Sequence, residues 1–278
     1  MFAGQMEVDF LQYDSKISKN EFSLIFLNIN IRLLTSAMVL TGWQKRSVHK
    51  HFQEGNMGFI DTDVIALCAS GLLLLAYYLY LAMRVRRDPD FTVHSVNHRA
   101  RALWVKDVMA AQGKKDVMAV QTLRNFGMTA TFKASSSILL ILGTLTLSGQ
   151  AESLARTWHV LDFAGGSRAA EWWVIKIICL LTVLLVAFFA FAMALRLLNH
   201  VVFMVNLSQT DAQGSLSPER VGQRLNSAGV FYTLGMRAFF VAVPLTFWLF
   251  GPLFLFLSTA GLIVALYHLD RSPLAENS

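Results

Sequence analysis

His94 and His98 stand four residues apart in a segment of helical periodicity, which puts two imidazoles on one helical face at the spacing of a metal-ligand pair. The glutamate of an HExxH pattern is missing and no third ligand follows, so a solvated helix face is the better reading and no metal or cofactor is expected. Cys68 and Cys179 both lie in apolar runs without CxxC spacing, which suits small buried hydrophobes better than a disulfide framework or a zinc site. No glycine-rich phosphate loop, nucleophile elbow or pair of carboxylates within an apolar run appears, so no enzymatic activity is expected.

The polar pattern with most chemical content begins at residue 121. Projected on a helix, Gln121, Asn125, Thr129, Lys133, Ser136, Gly143 and Thr144 fall on one broad arc, with Arg124 at its basic end, while Ala130, Ile138, Ile141 and Leu145 face elsewhere. Two readings fit such an arc inside a membrane. It lines a water-filled path or solute site, or its small residues allow close helix packing while Lys133 snorkels to the interface. Arg196, His200 and Arg237 supply a further basic cluster on the same side, suited to lipid phosphates or to the vestibule of such a path.

The elements that must position these residues follow from composition. The 278-residue chain is 55% hydrophobic and 15% charged, well below the roughly 25% charged residues of a soluble domain. Its formal charge of +6 is not spread as a basic domain, so anionic lipid headgroups, and not nucleic acid, are the expected partner. Four apolar runs are long enough to span a bilayer, which takes about 20 residues of helix. They cover about 62–83, 125–148, 172–198 and 236–268. The fold class expected is an all-α integral membrane bundle of four transmembrane helices with cytoplasmic amphipathic helices, over 57–270, followed by a short tail at 271–278.

Arg84, Arg86, Arg87, Arg99, Arg101, Lys106, Lys114, Lys115 and Arg124 crowd one loop, whereas the 149–171 loop holds Arg156 and Arg168 alone. By the positive-inside rule the 84–124 loop is cytoplasmic, and with four spans the C-terminus lies outside. Within that loop Val93, Val96, Ala100, Leu103, Trp104, Val108 and Ala111 recur at helical spacing, predicting an amphipathic helix along the inner membrane surface or against the bundle. A further helix is predicted to start near Asp116 and to run unbroken into the second span. Ser217-Pro218-Glu219 marks the start of a second short amphipathic helix, with Val221, Leu225, Ala228 and Tyr232 on one face. The last run is too long for one straight span, since 33 residues of helix reach about 50 Å against a core of about 30 Å. Pro244, Gly251 and Pro252 should bend or break it near Gly251-Pro252.

Residues 22–43 are moderately apolar, but Asn28, Asn30 and Arg32 interrupt them, and an arginine at mid-helix costs about 2.5–3.5 kcal/mol on insertion scales. No span is expected there. Residues 1–56 are expected to be an N-terminal extension, either a poorly ordered arm or a non-native lead-in to a start at Met57.

The runs RVRRDPD at 84–90, GKKDVMAVQTLRN at 113–125 and GMRAFFVAVPLTFWLFGP at 235–252 resemble an uncharacterised family of bacterial and plant multi-pass membrane proteins, the DUF599-like domain of unknown function. The resemblance spans about 58–270. It implies four spanning helices and, in bacteria, the plasma or inner membrane. It supplies no substrate, cofactor or catalytic residue. Two functions from different classes therefore stand: a small, homo-oligomeric channel or transporter for ions or an anionic solute, and a non-catalytic membrane scaffold or accessory subunit that binds anionic lipid or a cytosolic partner.

Overall fold

The computed structural model describes residues 57–88, 91–111, 114–150, 170–207 and 214–271. The expected extension at 1–56 and the tail beyond residue 271 lie outside them. The described residues form α1 (Met57–Arg87), α2 (Val93–Ala110), α3 (Asp116–Ser148), α4 (Ala170–Val205), α5 (Pro218–Trp248) and α6 (Pro252–Asp270), with a single 3-10 turn at Gly214–Leu216. Local chemistry sets several of these boundaries. Thr92 is extended at the start of α2, and its hydroxyl accepts the Ser95 amide at 3.3 Å. Pro218 occupies the first turn of α5, where its missing N–H costs no intrahelical bond.

The all-α reading holds, but the count of four spans does not. Among the described residues five helices are long and apolar enough to cross a membrane: α1 from Thr62, α3, α4 from Trp172, α5 and α6. The run read as one span over 236–268 is divided at Gly251. The end of α5 tightens through bonds from Leu249, Phe250 and Gly251 amides to the carbonyls of Thr246, Phe247 and Trp248. Gly251 then adopts φ 143°, a region that only glycine enters cheaply, and Pro252 opens α6. Pro244, by contrast, sits inside α5 and the helix continues through it. The amphipathic segment after Pro218 is likewise not a separate element. It is the first half of α5.

The hairpin reverses the chain, so α6 runs back towards the basic loop. Thr92 and Arg271 form an isolated antiparallel bridge. The chain at residue 271 therefore lies at the same end as the 84–124 loop, which corrects the expectation of a C-terminus on the opposite side. An added fifth span changes the parity, and that is the whole physical reason.

Helix α4 is the centre of the packing. Its buried Ile177, Leu180, Leu184, Ala187, Phe191, Ala194, Leu198, Val201 and Val205 alternate at spacings of three and four, the pattern of a supercoiled seam. Antiparallel α3 meets it with Leu123, Ala130, Ser137 and Thr144, each seven residues from the last. On the other flank α5 approaches closely at Gly235, where a Cβ would lie 2.7 Å from the Phe191 ring. Helix α1 packs on α6, with Tyr77, Tyr78, Leu81 and Leu266 in a common apolar cluster.

Length decides what lies in the bilayer. The 19 residues of α6 reach about 28 Å, which matches a hydrocarbon core of about 30 Å. Helices α3, α4 and α5, at 33, 36 and 31 residues, are too long for it. Their excess emerges at the basic end, where α2 stands along α5: Ala102 faces Gly222, and Lys106 meets Glu219 at 3.2 Å. Val105, Val108, Leu123, Leu198, Val201, Val221 and Leu225 form the core of this four-helix extension. Helix α2 thus takes the second of its two expected placements, against the bundle. Helix α3 runs unbroken from Asp116, as its sequence predicts.

Gly251→Ala should lower stability by about 1–3 kcal/mol, the strain of placing a Cβ at this φ. Thermal unfolding in detergent measures it, with Gly143→Ala, whose added Cβ meets nothing, as the comparison.

Candidate functional site

Two buried polar assemblies bracket the spanning region. At the end far from the basic loop, Asp63 of α1, Lys176 of α4 and Trp248 of α5 converge. The Lys176 ammonium lies 3.0 Å from the Asp63 carboxylate, with side chains 3% and 0% exposed. Trp248 donates its indole N–H to the same carboxylate at 2.8 Å, and Lys176 sits over the indole at 5.4 Å. The helix begins at Met57, which places Asp63 in its second turn facing inward. A carboxylate is therefore buried within a spanning helix.

At the basic end the partners are Arg237 of α5, Asp270 of α6 and Tyr77 and Tyr78 of α1. Arg237 pairs with Asp270 at 3.2 Å, Tyr77 donates to Asp270 at 2.8 Å, and the guanidinium lies 5.0 Å over the Tyr78 ring. Arg237 is 8% exposed. It is thus a buried ion-pair partner, apart from the exposed Arg196 and His200 with which the sequence grouped it. Its Cα lies deeper than the paired headgroup, because side chains lean towards the helix N-terminus, which for α5 is the basic end. His94 faces the same region from α2. Burial, then Arg101, Arg237 and His98, push its imidazole down to about 4, so it is neutral at physiological pH. Among the described residues no group of three or more His, Cys, Asp or Glu is placed to hold a metal ion.

Helix α3 is peripheral, and most of the predicted polar arc lies on its outward side, but Thr144 is buried in the seam against α4. Gln121, Asn125 and Thr129 are exposed, Lys133 and Ser136 half-buried. The Thr129 and Ser136 hydroxyls donate to the carbonyls of Asn125 and Phe132 at 2.9 Å, so the helix itself satisfies them. Arg124 points to a different flank. With Gly127, Met128, Phe132, Leu195 and Asn199 it lines an open groove of about 620 Å3 between α3 and α4. Gly127 meets Leu195 and Gly235 meets Phe191 on α4, so Lys133 on α3 stands at about the depth of Arg237 in the Arg237–Asp270 clamp.

A family model described as a protein of unknown function, DUF599, matches residues 65–274. The chain belongs to this family. The match runs from α1 through the Gly251 hairpin and past Asp270, so both charge clamps except Asp63 lie inside the DUF599 region. No curated protein and no solved structure matches. The resemblance read from the three sequence runs is therefore correct as a family assignment, and DUF599 supplies no chemistry to transfer. Asp63, Trp248, Tyr77 and Asp270 had no local signal in the sequence, since their partners lie far away along the chain.

Lys176→Met should destabilise the protein by about 3–5 kcal/mol by stranding the Asp63 carboxylate. Asp63→Asn combined with Lys176→Met should recover most of that loss, because the substituted amide stays neutral and its oxygen still accepts the Trp248 N–H. Unfolding midpoints in detergent for the single and double variants check the pair.

Proposed function

We propose that this DUF599 protein is a non-enzymatic, homo-oligomeric channel or transporter for ions or an anionic solute in the plasma or inner membrane. The basic end faces the cytoplasm, as the positive-inside rule requires of the 84–124 loop. The observation that carries the reading is the outward face of α3. A helix at the edge of the bundle that presents the half-buried Lys133 ammonium at bilayer depth calls for a polar neighbour there, whereas the Thr129 and Ser136 hydroxyls are already satisfied within the helix. A second copy facing the same arc supplies one, and the space between copies supplies a wet path.

The depth of the arc fits an entrance at the cytoplasmic side. Arg124, Arg196 and His200 are exposed around the level where α3 and α4 leave the membrane, and they favour anions there. Arg237 contributes to fold and not to this vestibule. A scaffold or accessory subunit is the second reading, favoured by Leu103, Val117 and Phe203, which are 67%, 86% and 79% exposed on the four-helix extension beyond the bilayer. A cytosolic partner would cover them.

Purified protein in liposomes should pass ions under an imposed gradient, and Lys133→Ala should change the flux by on the order of ten-fold. Absence of flux under every gradient tested leaves the scaffold reading.

A further inference from the structure

The groove between α3 and α4 has an order of chemistry along its length. Arg124 on α3 and Asn199 on α4 are both exposed, and the antiparallel register fixed by Gly127 against Leu195 sets them at one level, towards the basic end. One to two turns deeper into the bilayer the lining becomes Met128, Phe132 and Leu195, with Met128 63% and Phe132 69% exposed. Gly127 lies between the two zones and leaves the floor without a side chain; a Cβ there would make ordinary contact with Leu195 at 3.6 Å, and a larger side chain would fill the trough. A volume of about 620 Å3 falls in the roughly 300–1,000 Å3 range of small-molecule sites.

We propose that this groove binds one anionic phospholipid from the leaflet at the basic end, its phosphate on Arg124 and Asn199 and an acyl chain along Met128, Phe132 and Leu195. A guanidinium above an apolar trough, at the level where spanning helices leave the hydrocarbon, complements a phosphate carried on an acyl chain. A free inorganic anion would use the first zone and leave the second without purpose. A neutral or zwitterionic lipid would fill the second and gain little from the first. The groove adjoins the polar arc of α3 and shares Arg124 with the proposed vestibule, and the inference holds for a transporter and a scaffold alike.

The test is native mass spectrometry of the full-length protein in detergent, titrated with phosphatidylglycerol or phosphatidylcholine of the same chains. The unmodified protein should retain phosphatidylglycerol preferentially. Arg124→Ala should reduce that preference about five-fold, the weight of one arginine at an anionic headgroup. Arg86→Ala, a basic residue outside the groove, should leave it unchanged, and Gly127→Leu should block retention of either lipid by filling the trough. Equal retention of both lipids by the unmodified protein, equal losses in Arg124→Ala and Arg86→Ala, or displacement of phosphatidylglycerol by soluble glycerol phosphate would overturn the proposal.

Discussion

A charge left alone in hydrocarbon is too expensive to keep, and the two buried ion pairs show how this bundle meets that constraint. Asp63 with Lys176 and Trp248 holds one end, and Arg237 with Asp270 and Tyr77 holds the other. Each joins the outer layer of α1 and α6 to the α4 and α5 core. Helix α1 leans chiefly on α6, so these polar clamps fix where that layer sits on the core at both faces of the membrane. Removing one member of either clamp leaves its partner charged and dry, and this asymmetry makes the pairs determinants of arrangement more than sources of net stability.

The second constraint is length. Among the described spanning helices only α6 matches the bilayer, and α3, α4 and α5 overshoot it on the same side. The overshoot needs a partner to bury its apolar seam, and α2 fills that role through Val105, Val108 and Met109. The Gly251 hairpin belongs to the same solution. It lets α6 end at the membrane surface while α5 continues beyond it, and it brings Asp270 to Arg237. The result is a spanning bundle fused without a break to a four-helix extension. Helix α3 is left at the edge with one face buried, one groove and one polar arc, and the functional questions concentrate there.

Much of this was legible in the sequence. Apolar runs gave α1, α3 and α4, helical periodicity gave α2, and Ser217-Pro218-Glu219 gave the start of α5. The break at Gly251-Pro252 was legible as a break but not as a reversal. Proline removes the same donor from a kinked helix as from a new one, and hydrophobic periodicity does not record direction. Only the backbone angle of Gly251 separates the two. The clamps were hidden for another reason: Asp63 and Asp270 sit near helix ends, where a charge ordinarily finds water or headgroups, and their partners are brought to them by packing. The polar arc on α3 is legible as a pattern of residue types. Its place on the outside of the bundle depends on which neighbour α3 meets, and periodicity alone does not name that neighbour.

Helix α6 returns the chain to the basic end, because the hairpin, the Arg237–Asp270 clamp and the bridge from Thr92 to Arg271 all require it. Single cysteines at Lys114, Gln150 and Arg271, in a chain with Cys68 and Cys179 replaced by alanine, can be labelled with a membrane-impermeant maleimide in sealed vesicles of known orientation. Positions 114 and 271 should label from one side and 150 from the other. Labelling of 271 together with 150 would contradict the five-span arrangement.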